Sequence, residues 1–96
     1  MARVIYAPRA IRDLDRIQEF LAEHDPKAAL VAATAIADAV SVLERHPLIG
    51  RPVEAGMREL VISQGRTGYV ALNDWLEAID TVVILALRHQ HEAGYE

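Results

Sequence analysis

Ninety-six residues, 52% of them apolar and none of them cysteine, describe one small domain. A chain of that length buries about two thirds of its unfolded surface in a single core, and it has neither a disulfide framework, a thiolate nucleophile nor cysteine-held zinc. A net charge of -4 argues against a protein that holds nucleic acid through its overall field.

Nine of the ten basic residues are nevertheless arginine. That bias favours forked contacts with carboxylates or phosphates over diffuse attraction, so a local arginine site fits an acidic chain. The apolar stretch VVILAL is too short to cross a bilayer, and the opening MARVIYAPRAIRD lacks the apolar core of a secretion signal. The expectation is a cytoplasmic protein with no membrane segment.

The elements follow in chain order. RVIYA is a short β-prone run, and Pro8 then stands where a helix tolerates proline, at its first position. Ile11, Leu14, Ile17 and Leu21 recur at helical spacing, with Arg12, Asp13, Asp15, Arg16, Glu19 and Glu23 assigned to the wet side. Asp25 and Pro26 in HDPKAA repeat the start signal for a second helix running to about His46. Ala29, Ala32, Ala33, Ile36, Val40 and Leu43 form one face of it, and Thr34, Asp38, Ser41 and Arg45 mark its wet stripe. With so few residues between them, the two helices should fold back as a hairpin.

HPLIGRPVEAG ends the helical half. MRELVIS, GYVALNDWL and TVVILALR then read as three strands joined by QGRT and EAID, which predicts an antiparallel meander. The last is continuously apolar from Val82 to Leu87, so it belongs inside the sheet. The fold class is α+β, a helical hairpin on a small antiparallel sheet in the order β-α-α-β-β-β. The helices cover one sheet face, and the other is expected bare and apolar, as a partner site would be.

In that order, MRELVI, GYVAL and DTVVILALRHQHEAGY, with the opening YAPRAIRDLDRI, resemble toxins of the RelE/ParE superfamily of bacterial toxin-antitoxin pairs, and more closely its ParE branch. The resemblance spans nearly the whole chain. It implies a cognate ParD-like antitoxin encoded beside the toxin, and a toxin that poisons DNA gyrase or a related topoisomerase by binding. The alternatives it leaves are a ribosome-dependent mRNA endonuclease of RelE type and an inactive homologue that only binds its antitoxin. Two departures matter. Ala7 stands where the family often has Ser or Thr before the helical proline, and the NDW of Asn73 to Trp75 replaces an aromatic and basic stretch.

Cleaving RNA through its own 2'-hydroxyl needs a base, an acid and cations facing the phosphorus. Arg58, Arg88, His89, His91 and Tyr95 are the residues available for those roles. His89 and His91 would share a face on an extended segment. RelE-type ribonucleases carry basic residues on the strand matching RELVIS and directly after GY, where this chain has Val70. Tyr95 falls where their C-terminal tyrosine lies, and His89 where they carry an arginine. The reading preferred here is therefore a rim of target-binding residues, Arg88, His89, His91 and Tyr95, with no catalytic set and with Tyr95 folding its ring over an apolar edge. Ala29, Ala32, Ala33, Ile36 and Val61 are the candidate antitoxin-binding residues, lining a groove between hairpin and sheet. His24 and His46 stand near helix C-termini, where an imidazole meets the dipole. No acidic or histidine spacing suggests a metal, and no cofactor motif is present.

Overall fold

The computed structural model describes residues 1–64, 67–90 and 95. Its order is β1 (Arg3–Tyr6), α1 (Pro8–His24), α2 (Pro26–Ser41), β2 (Arg51–Pro52), β3 (Arg58–Gln64), β4 (Thr67–Leu76) and β5 (Thr81–His89). One sheet holds all five strands in the order β1-β5-β4-β3-β2. The α+β class and the hairpin-on-sheet architecture are as the sequence predicts.

Two features differ from the expectation. The sheet is mixed, because β1 pairs parallel with β5, from Arg3 against Thr81 to Tyr6 against Ile84. A two-residue strand, β2, also joins the far edge through Arg51–Glu59 and Pro52–Arg58 pairing. Both follow from β5. Its apolar run needs neighbours on either side, the short turn after β4 supplies one, and the first residues of the chain supply the other.

Pro8 opens α1 as predicted, and Ala7 before it makes no side-chain cap. Asp25 alone joins the helices, closing α1 through its backbone N–H on Leu21 and capping α2 by accepting from the Lys27 N–H at 3.0 Å. The predicted second helix is shorter than expected: α2 stops at Ser41 and continues as a 3-10 turn, Val42–Glu44. Together Pro26–Glu44 is long and apolar enough to cross a membrane by length and composition. In this fold its Ala32, Ile36, Val40 and Leu43 instead meet the sheet, at 4% exposure or less.

The core face of α1 also differs. Ala10 and Ile17 are buried, whereas Ile11 is 50% exposed and Asp13 only 6%. At about 100° per residue, Ile11 lies a quarter-turn away from the line through Ala10, Leu14, Ile17 and Leu21. Asp13 is inside because the backbone requires it: its Oδ2 accepts the Leu87 N–H at 2.9 Å, while Arg9 Nε donates to Oδ1 at 3.2 Å. The pairing of β1 with β5 ends at Ile84. A helix carboxylate thus satisfies a strand donor that lies beyond it.

An irregularity in β5 decides which residues share a face. Leu72 pairs with Ala86 and Asn73 with Ile84, so Leu85 is an extra residue in its strand. Such a bulge reverses the alternation beyond it. Tyr69, Ala71, Asn73 and Trp75 consequently lie with Val82, Ile84, Leu87 and His89 under the helices, and Val70 and Leu72 lie with Ala86 and Arg88 on the open face. Asn73 is fully buried on the helix side, where its Nδ2 donates to the Ala71 carbonyl at 3.0 Å.

Candidate functional site

The open face is not bare. Glu59 of β3 stands on it with 8% exposure. Its carboxylate gathers three partners that are far apart in the sequence. Arg51 of β2, its cross-strand neighbour, donates through Nη2 to Oε1 at 2.6 Å. Tyr95 donates its hydroxyl to Oε2 at 2.8 Å, and Arg88 of β5 places Nη2 3.7 Å from the same oxygen.

Arg88 is held in turn. Its guanidinium carbon lies 5.1 Å from the Tyr95 ring centroid, a cation-π arrangement, and Nη1 donates to the carbonyls of His89 and Gln90, each at 3.3 Å. Beneath this cluster Val70 and Ala86 are each 3% exposed although no helix lies on their side. The expectation of an apolar edge under Tyr95 is therefore half met. The ring lies beside a guanidinium, and the hydroxyl is engaged by a carboxylate.

The chemistry of the cluster follows from its partners. The hydrogen bond from Arg51, then that from Tyr95, holds the Glu59 carboxyl below its ordinary range, against the effect of its burial. Burial first, then the bond to the Glu59 anion, pushes the Tyr95 phenol up to about 12. At neutral pH the cluster is two guanidiniums, one carboxylate and a neutral phenol, with a local charge of about +1 on an acidic chain. A phenol in that state is a hydrogen-bond donor, and a poor base or nucleophile.

The remaining candidates lie elsewhere. His89 sits on the helix side, edge-on to the buried Tyr69 ring at 5.6 Å. Arg58, also on that side, donates Nη1 to the carbonyls of Leu48 and Gly50 at 3.1 and 2.9 Å, which ties the loop after α2 to β3. His91 lies outside the described residues. So does Glu92, the acid nearest Arg88 in sequence beyond it, and the acid that meets Arg88 is Glu59. His24 ends α1 with its ring edge-on to Phe20. Among the described residues no group of three His, Asp or Glu side chains is arranged to hold a metal ion.

The groove expected between hairpin and sheet is filled. Ala32 and Ile36 are each 1% exposed and belong to the core, so they are not available to a partner. Ala29 and Ala33 are half-buried, and Val61 on the open face is 48% exposed. Beyond β2 the outer edge of β3, from Leu60 onward, has no strand partner among the described residues. Glu59, Arg51 and Asp13 were not singled out from the sequence. The signal for Glu59 is an acid inside the strand pattern of RELVIS, with arginines on two other β segments to meet it.

Residues 4–94 match the family described as ParE toxin of type II toxin-antitoxin system, parDE. The chain is 37% identical over 92 residues to Toxin RelE3 of Caulobacter vibrioides, covering 96% of this chain and 98% of that one. It is 36% identical over 67 residues to Toxin RelE1 of the same bacterium, covering 70% and 72% of the two chains. In three dimensions it is similar to a chain of the chromosomal ParDE TA system from P. aeruginosa, with TM-score 0.74, 26% identity and coverage of 91% and 94%. A chain of the toxin-antitoxin complex RelBE2 from Mycobacterium tuberculosis gives TM-score 0.64 at 27% identity, with coverage of 95% and 93%.

Proposed function

This chain belongs to the ParE toxin family and is a type II toxin-antitoxin toxin of the ParE/RelE superfamily, and from that premise we propose that it arrests growth by binding DNA gyrase or a related topoisomerase. What supports binding over chemistry is the division of the five candidate residues. Arg88 and Tyr95 share the open face around a carboxylate, while Arg58 and His89 are engaged on the helix side. A general acid and base must converge on one phosphate, and these are separated by the sheet. Arg88 is the residue that meets the target, as a forked donor at the end of the central strand.

The antitoxin is the second partner, as in the ParDE and RelBE2 systems. Its segment is placed along the unpartnered edge of β3 and over Val61, with Ala29 and Ala33 beside it, where main-chain pairing and apolar contact both contribute. The complex should therefore survive moderate salt. Topoisomerase, ribosome and antitoxin would all be met in the cytoplasm, where we place this toxin.

The RelE names of the two Caulobacter relatives favour a second reading, an mRNA endonuclease that borrows the ribosome to position its substrate. One experiment separates the two. The protein is induced alone, and the DNA damage response and gyrase-cleaved DNA are scored beside mRNA integrity. Cleaved DNA with intact message is the expected outcome, and loss of message without cleaved DNA favours the nuclease. Within the first outcome, Arg88→Ala should abolish arrest and leave antitoxin binding within about tenfold, roughly 1.4 kcal/mol.

A further inference from the structure

Glu59 is the least exposed member of the open-face cluster and the one residue its other members share. Arg51 reaches one carboxylate oxygen at 2.6 Å, and Tyr95 and Arg88 meet the other at 2.8 and 3.7 Å. Tyr95 is joined to the sheet through that oxygen and through the Arg88 guanidinium 5.1 Å from its ring. Without the carboxylate, two guanidiniums would face each other with no anion between them.

We propose that Glu59 is a positioning residue for target recognition, its carboxylate holding Arg88 and Tyr95 together on the open face in the arrangement that meets the target. The role rests on the reading of Arg88 as the target contact. Glu59 itself lies under its partners, so it acts through them. The carboxylate accepts one hydrogen bond on each oxygen and draws Arg88 toward Tyr95. An amide keeps one acceptor and loses the charge. Aspartate keeps the charge on a stem one carbon shorter, and from β3 it cannot reach Arg51 and Tyr95 at once. The cluster therefore demands both the length and the charge of glutamate.

The test uses the full chain with Glu59→Gln, Glu59→Asp and Arg88→Ala, read by melting temperature, antitoxin titration, growth arrest at matched expression and the aromatic NMR signals of Tyr95. In the wild type those signals should be dispersed at neutral pH and move toward those of a free tyrosine as Glu59 is protonated in acid. In Glu59→Gln they should lie near the free position at all pH values. Arrest should fall at least about tenfold with antitoxin binding changed less than about tenfold. Aspartate should restore part of both the signal and the arrest.

If Glu59→Gln keeps the wild-type Tyr95 signals and arrests growth fully, while Arg88→Ala loses arrest, the positioning role is overturned and the target reading stands. If Arg88→Ala arrests as well as wild type, the target reading falls. A displaced Tyr95 in Glu59→Gln would then mark Glu59 as a stabilising contact only, which overturns the positioning role as well. If Glu59→Gln melts far below wild type and loses the antitoxin too, while Glu59→Asp folds and arrests fully with Tyr95 displaced, the proposal is wrong.

Discussion

The two faces of one sheet are closed by different means. On the helix side Ile36, Leu43, Val82, Ile84 and Leu87 are at most 1% exposed and interlock with two helices that span most of the sheet. On the open side the cover is a carboxylate, two arginines and one tyrosine, and Ile5, Val61 and Leu76 remain more than a third exposed around it. Apolar packing is cooperative and insensitive to pH and salt, whereas an ionic cover is local and responds to both. The lesson is a division of labour. The helix face sets stability, and the open face can exchange its contacts with a partner without unfolding the domain.

The largest effect that checks this difference is Leu43→Ala, in the fully buried turn after α2. It should cost about 2–5 kcal/mol, whereas Val61→Ala on the open face should stay within about 0.5 kcal/mol. Denaturant unfolding measures both, and equal losses would erase the distinction between the faces.

Asp13→Ala comes next. It strands the buried Leu87 N–H and removes a charge-assisted hydrogen bond, so a loss of about 2–3 kcal/mol is expected. Asp13→Asn should recover part of it, since its carbonyl still accepts. A neutral result for alanine would mean that the strand donor finds another partner.

Tyr95→Phe is smaller, because it removes the bond to Glu59 and leaves the ring beside Arg88. Local opening of the C-terminal segment should become easier by about 1 kcal/mol, read as faster hydrogen exchange there, with little change in the melting temperature. Tyr95→Ala should open it further.

The smallest effect is on pH dependence, and its direction is set by the two shifts. Glu59 has its carboxyl lowered from 4.5, so its contribution is present above that pH and is lost as pH falls through the folded value. Tyr95 is raised from 10.0 to about 12, so its contribution is present below pH 10 and is lost between those values. The Tyr95 contact should be flat across neutrality and open at both extremes. Glu59→Gln should abolish the acid limb alone.

Patterns of neighbouring residues were enough to read the hairpin. Pro8, Asp25 and Pro26 announce helix starts by chemistry local to one turn, and the apolar run from Val82 to Leu87 announces a central strand because only burial on both sides accommodates it. The order of elements and the family resemblance follow from such short-range signals. The parallel partner of β5, the side to which Asp13 turns and the face on which Arg88 lies depend on contacts between distant segments. One extra residue, Leu85, inverts the alternation beyond it, so His89 and Arg88 could not be assigned to faces by counting. The joining of Glu59 to Arg51, Arg88 and Tyr95 was decided by the tertiary structure alone, because strand order, and not spacing along the chain, determines which charges meet.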